Sequence, residues 1–115
     1  MRHVLLGIGV CLLAACANYS DVQVRTPMHV TESAMQPQAV AECVASKWID
    51  TNASTHIVPN GDTRVVVVPT GGGTTTLVMM TLTASPTASG SHIEMRTTPT
   101  LGTFNEQWDQ ARSCL

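Results

Sequence analysis

Apolar and polar positions recur at different periods along the chain, and each period marks an element. Val4 to Leu13 is an unbroken apolar run. From Ala17 to about Met35 the chain is polar and lacks a sustained period, which predicts a flexible tether. Only Val22-Gln23-Val24 alternates there, as a short strand would. The spacing then predicts a helix from Pro37 to near Asp50. Proline suits the first turn, where its missing N–H costs nothing. Val40, Cys43, Val44 and Trp48 fall at i, i+3, i+4 and i+8 on one stripe, with Glu42, Ser46 and Lys47 off it.

Four strand-like segments follow. Thr55–Pro59 runs into Asn60-Gly61, a dipeptide favoured in tight hairpin turns. Thr63–Pro69 carries four consecutive valines and closes at Pro69 and Gly71-Gly72-Gly73. Thr74–Thr83 places Val78, Met80 and Leu82 on one face, and Pro86 and Gly90 bracket the next loop. Ser91–Thr97 alternates, with Ile93 and Met95 on one side and His92, Glu94 and Arg96 on the other. A last helix, about Phe104–Cys114, aligns Phe104, Trp108 and Ala111, and Thr103 with Glu106 has capping-box spacing.

The predicted fold is therefore α+β in the order α-β-β-β-β-α. A four-stranded antiparallel sheet carries an N-terminal and a C-terminal helix packed on one face, leaving one face dry and one wet. The predicted organisation is a signal peptide over 1–15, a tether over 16–36 and a small domain over 37–115.

The N-terminus narrows where the chain acts. A cationic start (Met1, Arg2, His3) precedes the apolar run, and Ala14 and Ala15 follow it, the three-part layout of a secretory signal peptide. The run is about 15 Å long as a helix, half of a bilayer's hydrocarbon core of roughly 30 Å. Leu13-Ala14-Ala15-Cys16 resembles the lipobox of bacterial lipoproteins. That resemblance implies cleavage before Cys16, lipidation of its thiol and acylation of the new amino group. Cys11, preceded by the branched Val10, reads as part of the discarded peptide. Three acyl chains exceed what stable anchoring needs. Ala17 after Cys16 implies, by the enterobacterial sorting rule, export to the outer membrane facing the periplasm.

Composition removes other classes. Of 115 residues, 12% are charged, and the net charge of −2 offers no basic field for nucleic acid. Without Arg2 the charge becomes −3. Only Tyr19, Trp48, Phe104 and Trp108 are aromatic. After removal of Cys11 and lipidation of Cys16, Cys43 and Cys114 remain in an oxidising compartment and are expected to pair. The bridge would close 71 residues, worth roughly 4 kcal/mol in the chain-entropy model. A redox pair or metal site is the competing reading, but neither cysteine lies in a C-x-x-C.

Candidate chemistry is sparse. His29, His56 and His92 share no ligand spacing, although His56 and His92 with Glu94 would make a weak metal site if the strands brought them together. Gly71-Gly72-Gly73 leads into a strand, not into the helix a phosphate cradle needs. The threonines between 70 and 103 suit a pleated surface. Asn52-Ala53-Ser54 matches a glycosylation sequon foreign to this export route. No nucleophile–His–acid pattern is visible, and Glu94 and Glu106 cannot be placed together. No catalytic, cofactor or metal residue is assigned.

A helix with Ala41, Cys43 and Trp48, valine-rich strands and a terminal Cys114-Leu115 resemble small uncharacterised proteobacterial envelope lipoproteins, a likeness that implies no activity. The function expected is a non-catalytic, lipid-anchored module that binds another envelope protein, for instance in the manner of an immunity or inhibitor protein. The alternative is a structural accessory lipoprotein of a larger envelope or secretion assembly, in which the segment near Asp21–Met35 adds as a strand to a partner.

Overall fold

The computed structural model describes residues 18–70, 77–98 and 104–115. In chain order the elements are α1 (Tyr19–Gln23), β1 (His29–Ser33), α2 (Pro37–Trp48), β2 (His56–Asn60), β3 (Thr63–Pro69), β4 (Val78–Thr87), β5 (Gly90–Thr97) and α3 (Asn105–Arg112). The protein is α+β with an antiparallel sheet, as the pattern predicts. The sheet has five strands rather than four, in the order β1-β5-β4-β3-β2.

The fifth strand comes from the segment expected to be a tether. β1 pairs antiparallel with β5, His29 opposite Met95 and Ser33 opposite Ser91. Polarity hid it, because an edge strand with one open flank needs little apolar content. Val22-Gln23-Val24 is not a strand. Asn18 caps α1 in a full capping box with Asp21, which commits these residues to a helical turn. Val22 is fully buried beneath it.

α2 and α3 cover one face, where Val40, Val44 and Trp48 meet Val66, Val68, Met80, Leu82, Ile93 and Met95. The other face is only partly wet. There Val22 of α1 packs with Val65, Val67 and Val78, flanked by Tyr19 and Val58. The four valines of β3 thus serve two cores in alternation, which explains an apolar run without polar interruption. A register shift between Val68 and Pro69 breaks β3–β4 pairing: Met80 lies opposite Val68, but Val78 lies opposite Pro69. Val78 therefore joins the α1 side while Met80 and Leu82 face α2 and α3, so the expected common face divides at a bulge.

Pro86 is not in a loop. It sits in β4 opposite Ser91, and the connection tightens to two residues between Thr87 and Gly90. Proline's lost N–H is tolerated near a strand end. α3 opens from Phe104, a non-glycine residue at φ +52°, without a side-chain cap. Thr103 and Gly71-Gly72-Gly73 lie outside the described residues.

Gly90 has no room for a side chain. At φ +154°, a Cβ would sit 2.0 Å from the Ser33 carbonyl oxygen and 2.7 Å from the Ala34 carbonyl carbon. Gly61 also has positive φ, +58°, but a Cβ there meets nothing within 4 Å. Gly90→Ala is therefore expected to cost about 2–3 kcal/mol by forcing β1 from β5, and Gly61→Ala about 1 kcal/mol from backbone strain alone. Urea denaturation of the two variants checks the order.

Candidate functional site

The two remaining cysteines meet where the first long helix passes the end of the last. Cys43 of α2 is bonded to Cys114, just past α3, with S–S 2.11 Å and Cα–Cα 5.7 Å across 71 residues. Beside the bridge the Trp48 indole N–H donates to the Gln107 carbonyl at 3.1 Å. The Ser33 hydroxyl donates to the Leu115 carbonyl at 3.3 Å, tying β1 to the same corner. These contacts make the bridge a staple of the helical layer. Cys11 and Cys16 lie outside the described residues.

The histidines are kept apart. His56 on β2 and His92 on β5 are separated by β3 and β4, about 14 Å at the usual strand spacing, so they share no metal site with Glu94. His56 Nδ1 lies 2.9 Å from the Ser54 carbonyl. His29, expected in the tether, stacks on Trp108 with ring centroids 4.5 Å apart and planes 1° from parallel. Burial, then the positive charge of Arg112, holds His29 below the usual histidine value, against a smaller opposing pull from Asp109. Its Nε2 is buried without a hydrogen-bond partner among the described residues, so protonation there is disfavoured.

A polar cluster occupies the outer face across β1 and β5. His92 Nδ1 is 2.6 Å from Glu32 Oε1, and its Nε2 is 3.0 Å from Glu94 Oε1. Arg96 pairs with the other oxygen of Glu94 and donates from Nε to the Arg25 carbonyl at 2.9 Å. The hydrogen bonds to Glu32 and then Glu94 raise the His92 pKa above its ordinary value. Burial pushes Glu94 up, but hydrogen bonds from Arg96 and His92 outweigh it and leave the carboxyl below its usual range. The two ring nitrogens point to opposite carboxylates, so the donors diverge from any common point. Among the described residues no group of three His, Cys, Asp or Glu is placed to hold a metal. Nothing in the sequence marks Glu32, because the strand that carries it has the polar, aperiodic pattern of a tether.

The remaining singled-out residues are brought to no common site. Glu94 is on the outer face, whereas Glu106 lies in the first turn of α3, in the helical layer on the opposite side. Asn52 donates to the Pro69 carbonyl at 3.1 Å and accepts from the Ser54 N–H at 3.1 Å, shaping the turn after α2. Thr81 donates to Gln23 and Thr83 accepts from it, holding α1 on β4.

An apolar cleft of about 190 Å³ opens beside α1, lined by Tyr19, His56, Val58, Val67, Pro69, Leu77 and Val78. Asn18, the residue before α1, forms an isolated antiparallel bridge with Leu77 at its rim. The chain matches no protein-family model, and neither the curated proteins nor the solved structures include a significant match.

Two outcomes follow from the cross-links. Replacing Cys43 and Cys114 together by Ser is expected to lower stability by about 2–5 kcal/mol, read by denaturation with and without reductant. For His92, a raised folded pKa means that its contribution is fully present below the unfolded value of about 6.5 and is lost as pH rises through the folded value. The stability difference between wild type and His92→Gln should thus be largest on the acid side of the unfolded value of about 6.5, while the carboxylates stay ionised, and should shrink as pH rises through the folded value. A difference that grows with pH would contradict the cluster.

Proposed function

We propose that the chain is a lipid-anchored, non-catalytic module of the bacterial envelope that binds another envelope protein. Cys16 is the anchor, and its lipobox carries the placement. An outer-membrane position facing the periplasm belongs to the same reading. Among the described residues no helix is long and apolar enough to cross a membrane.

The β1 edge supports the binding role. β1 is the outermost strand next to β5, so its other flank has no strand partner among the described residues. The opposite edge strand, β2, carries Pro59, which removes a backbone donor and blunts pairing. β1 has no proline, and near it Val30 is 57% exposed and Val24 85% exposed, with Met28 also open. Such an edge accepts an extended segment of a partner through backbone hydrogen bonds. In the non-catalytic reading, both nitrogens of His92 are occupied by carboxylates and His29 is stacked on Trp108, so neither is poised as a general base beside a hydroxyl. The accessory-assembly alternative placed the Asp21–Met35 segment on a partner's sheet. That segment is already used in α1 and in β1 of its own sheet, which favours the first reading.

Affinity capture from cross-linked, detergent-solubilised envelopes of the native host tests the proposal, comparing wild type, Cys16→Ala and Val30→Lys. One abundant protein partner is expected with wild type. Val30→Lys should lose most of it while shifting stability by no more than about 0.5 kcal/mol, as exposed substitutions do. No partner above background with any form would overturn the binding role.

A further inference from the structure

The connection between the acylated residue and the fold is too short to act as a spacer. Cys16 precedes Asn18 by two residues, so its Cα lies within about 7 Å of Asn18 even with the chain fully extended. Asn18 is fixed twice: its side chain accepts the Asp21 N–H at 3.0 Å, and its backbone bridges to Leu77. Leu77 and the next residue after Asn18, Tyr19, both line the apolar cleft. A group carried two residues before Asn18 is thus within reach of that cleft.

We infer that the cleft receives one acyl chain of Cys16 when the molecule is away from a bilayer. This rests on the reading of Cys16 as the anchor. The walls are mostly hydrocarbon from Val58, Val67, Pro69, Leu77 and Val78, joined by the rings of Tyr19 and His56. Burial raises the Tyr19 pKa, against a hydrogen bond with Gln23 that lowers it, so this wall is itself partly shielded from water. A dry apolar cavity of about 150 Å³ takes up benzene, so a cleft of about 190 Å³ accommodates roughly six to eight carbons of an alkyl chain. It covers the start of an acyl chain and leaves the remainder outside. A bilayer buries the whole chain, so the bilayer wins whenever one is present, and the cleft then empties without opposing anchoring. Intramolecular attachment makes the seat effective because the tethered chain is at high local concentration.

The test uses the chain from Cys16 onward, which contains every described residue and, with Cys43 and Cys114 bridged, has one free thiol. That thiol is alkylated with an octyl group or, as control, an ethyl group. The octyl form is expected to melt several degrees higher than the ethyl form and to shift the methyl resonances of Val58, Val67, Leu77 and Val78, without any change in molecular mass by light scattering. Val58→Asp and, as a variant farther from the core, Pro69→Asp should each remove the octyl-dependent shift in a protein that still melts cooperatively. Identical octyl and ethyl spectra would overturn the inference. So would octyl shifts that appear only with dimerisation, since the chain would then occupy a second copy. Mass spectrometry of Cys16 from native envelopes is scored separately. An unmodified Cys16 there would refute the anchor and with it the physiological occupant, whereas acylated Cys16 with identical octyl and ethyl spectra would refute the cleft alone.

Discussion

The alternation of Val65 to Val68 between two apolar layers is the constraint on which the architecture rests. Val66 and Val68 lie in the layer beneath α2 and α3, and Val65 and Val67 lie beneath α1. A strand that is apolar on both sides needs cover on both sides, and a sheet with one helical layer would leave Val65 and Val67 in water. Full burial of each valine side chain is worth about 1.5–3 kcal/mol, enough to draw a five-residue helix onto the sheet although it is too short to be stable alone. The capping box at Asn18 and the Gln23 bonds to Thr81 and Thr83 then fix where that helix lies.

Much of this was legible in the chain because local pattern and tertiary role agree. α2 begins at the proline that suits a first turn, and its stripe of Val40, Val44 and Trp48 faces the core. β3 spans the residues its valines indicate, and β5 separates Ile93 and Met95 from His92, Glu94 and Arg96 as its alternation requires. What escaped depends on contacts distant in sequence. β1 is polar because one edge faces solvent, and its strand character comes from pairing with residues more than fifty positions later. The break between Val78 and Met80 follows from a bulge that a period of two cannot express.

The site residues divide in the same way. Pairing of Cys43 with Cys114 is the expectation from elimination, and the structure brings the middle of α2 and the residue just past α3 to 5.7 Å at Cα. The clasp of His92 between Glu32 and Glu94 was illegible, since Glu32 acquires meaning only once β1 exists. The cleft beside α1 is likewise a product of two covers meeting imperfectly: a short helix on one side, and a strand that changes register at Pro69 on the other.

The corner built by α2 and α3 also governs when the domain can close. Trp48 waits for Gln107, Cys43 for Cys114 and Ser33 for Leu115, separations of 59, 71 and 82 residues. Synthesis at roughly 5–20 residues per second leaves several seconds between the first partner and the second. Throughout that interval the apolar stripe of α2 lacks its neighbour and Cys43 remains a thiol. Arrival of the segment around α3 is therefore what converts an open helix-on-sheet arrangement into a sealed body.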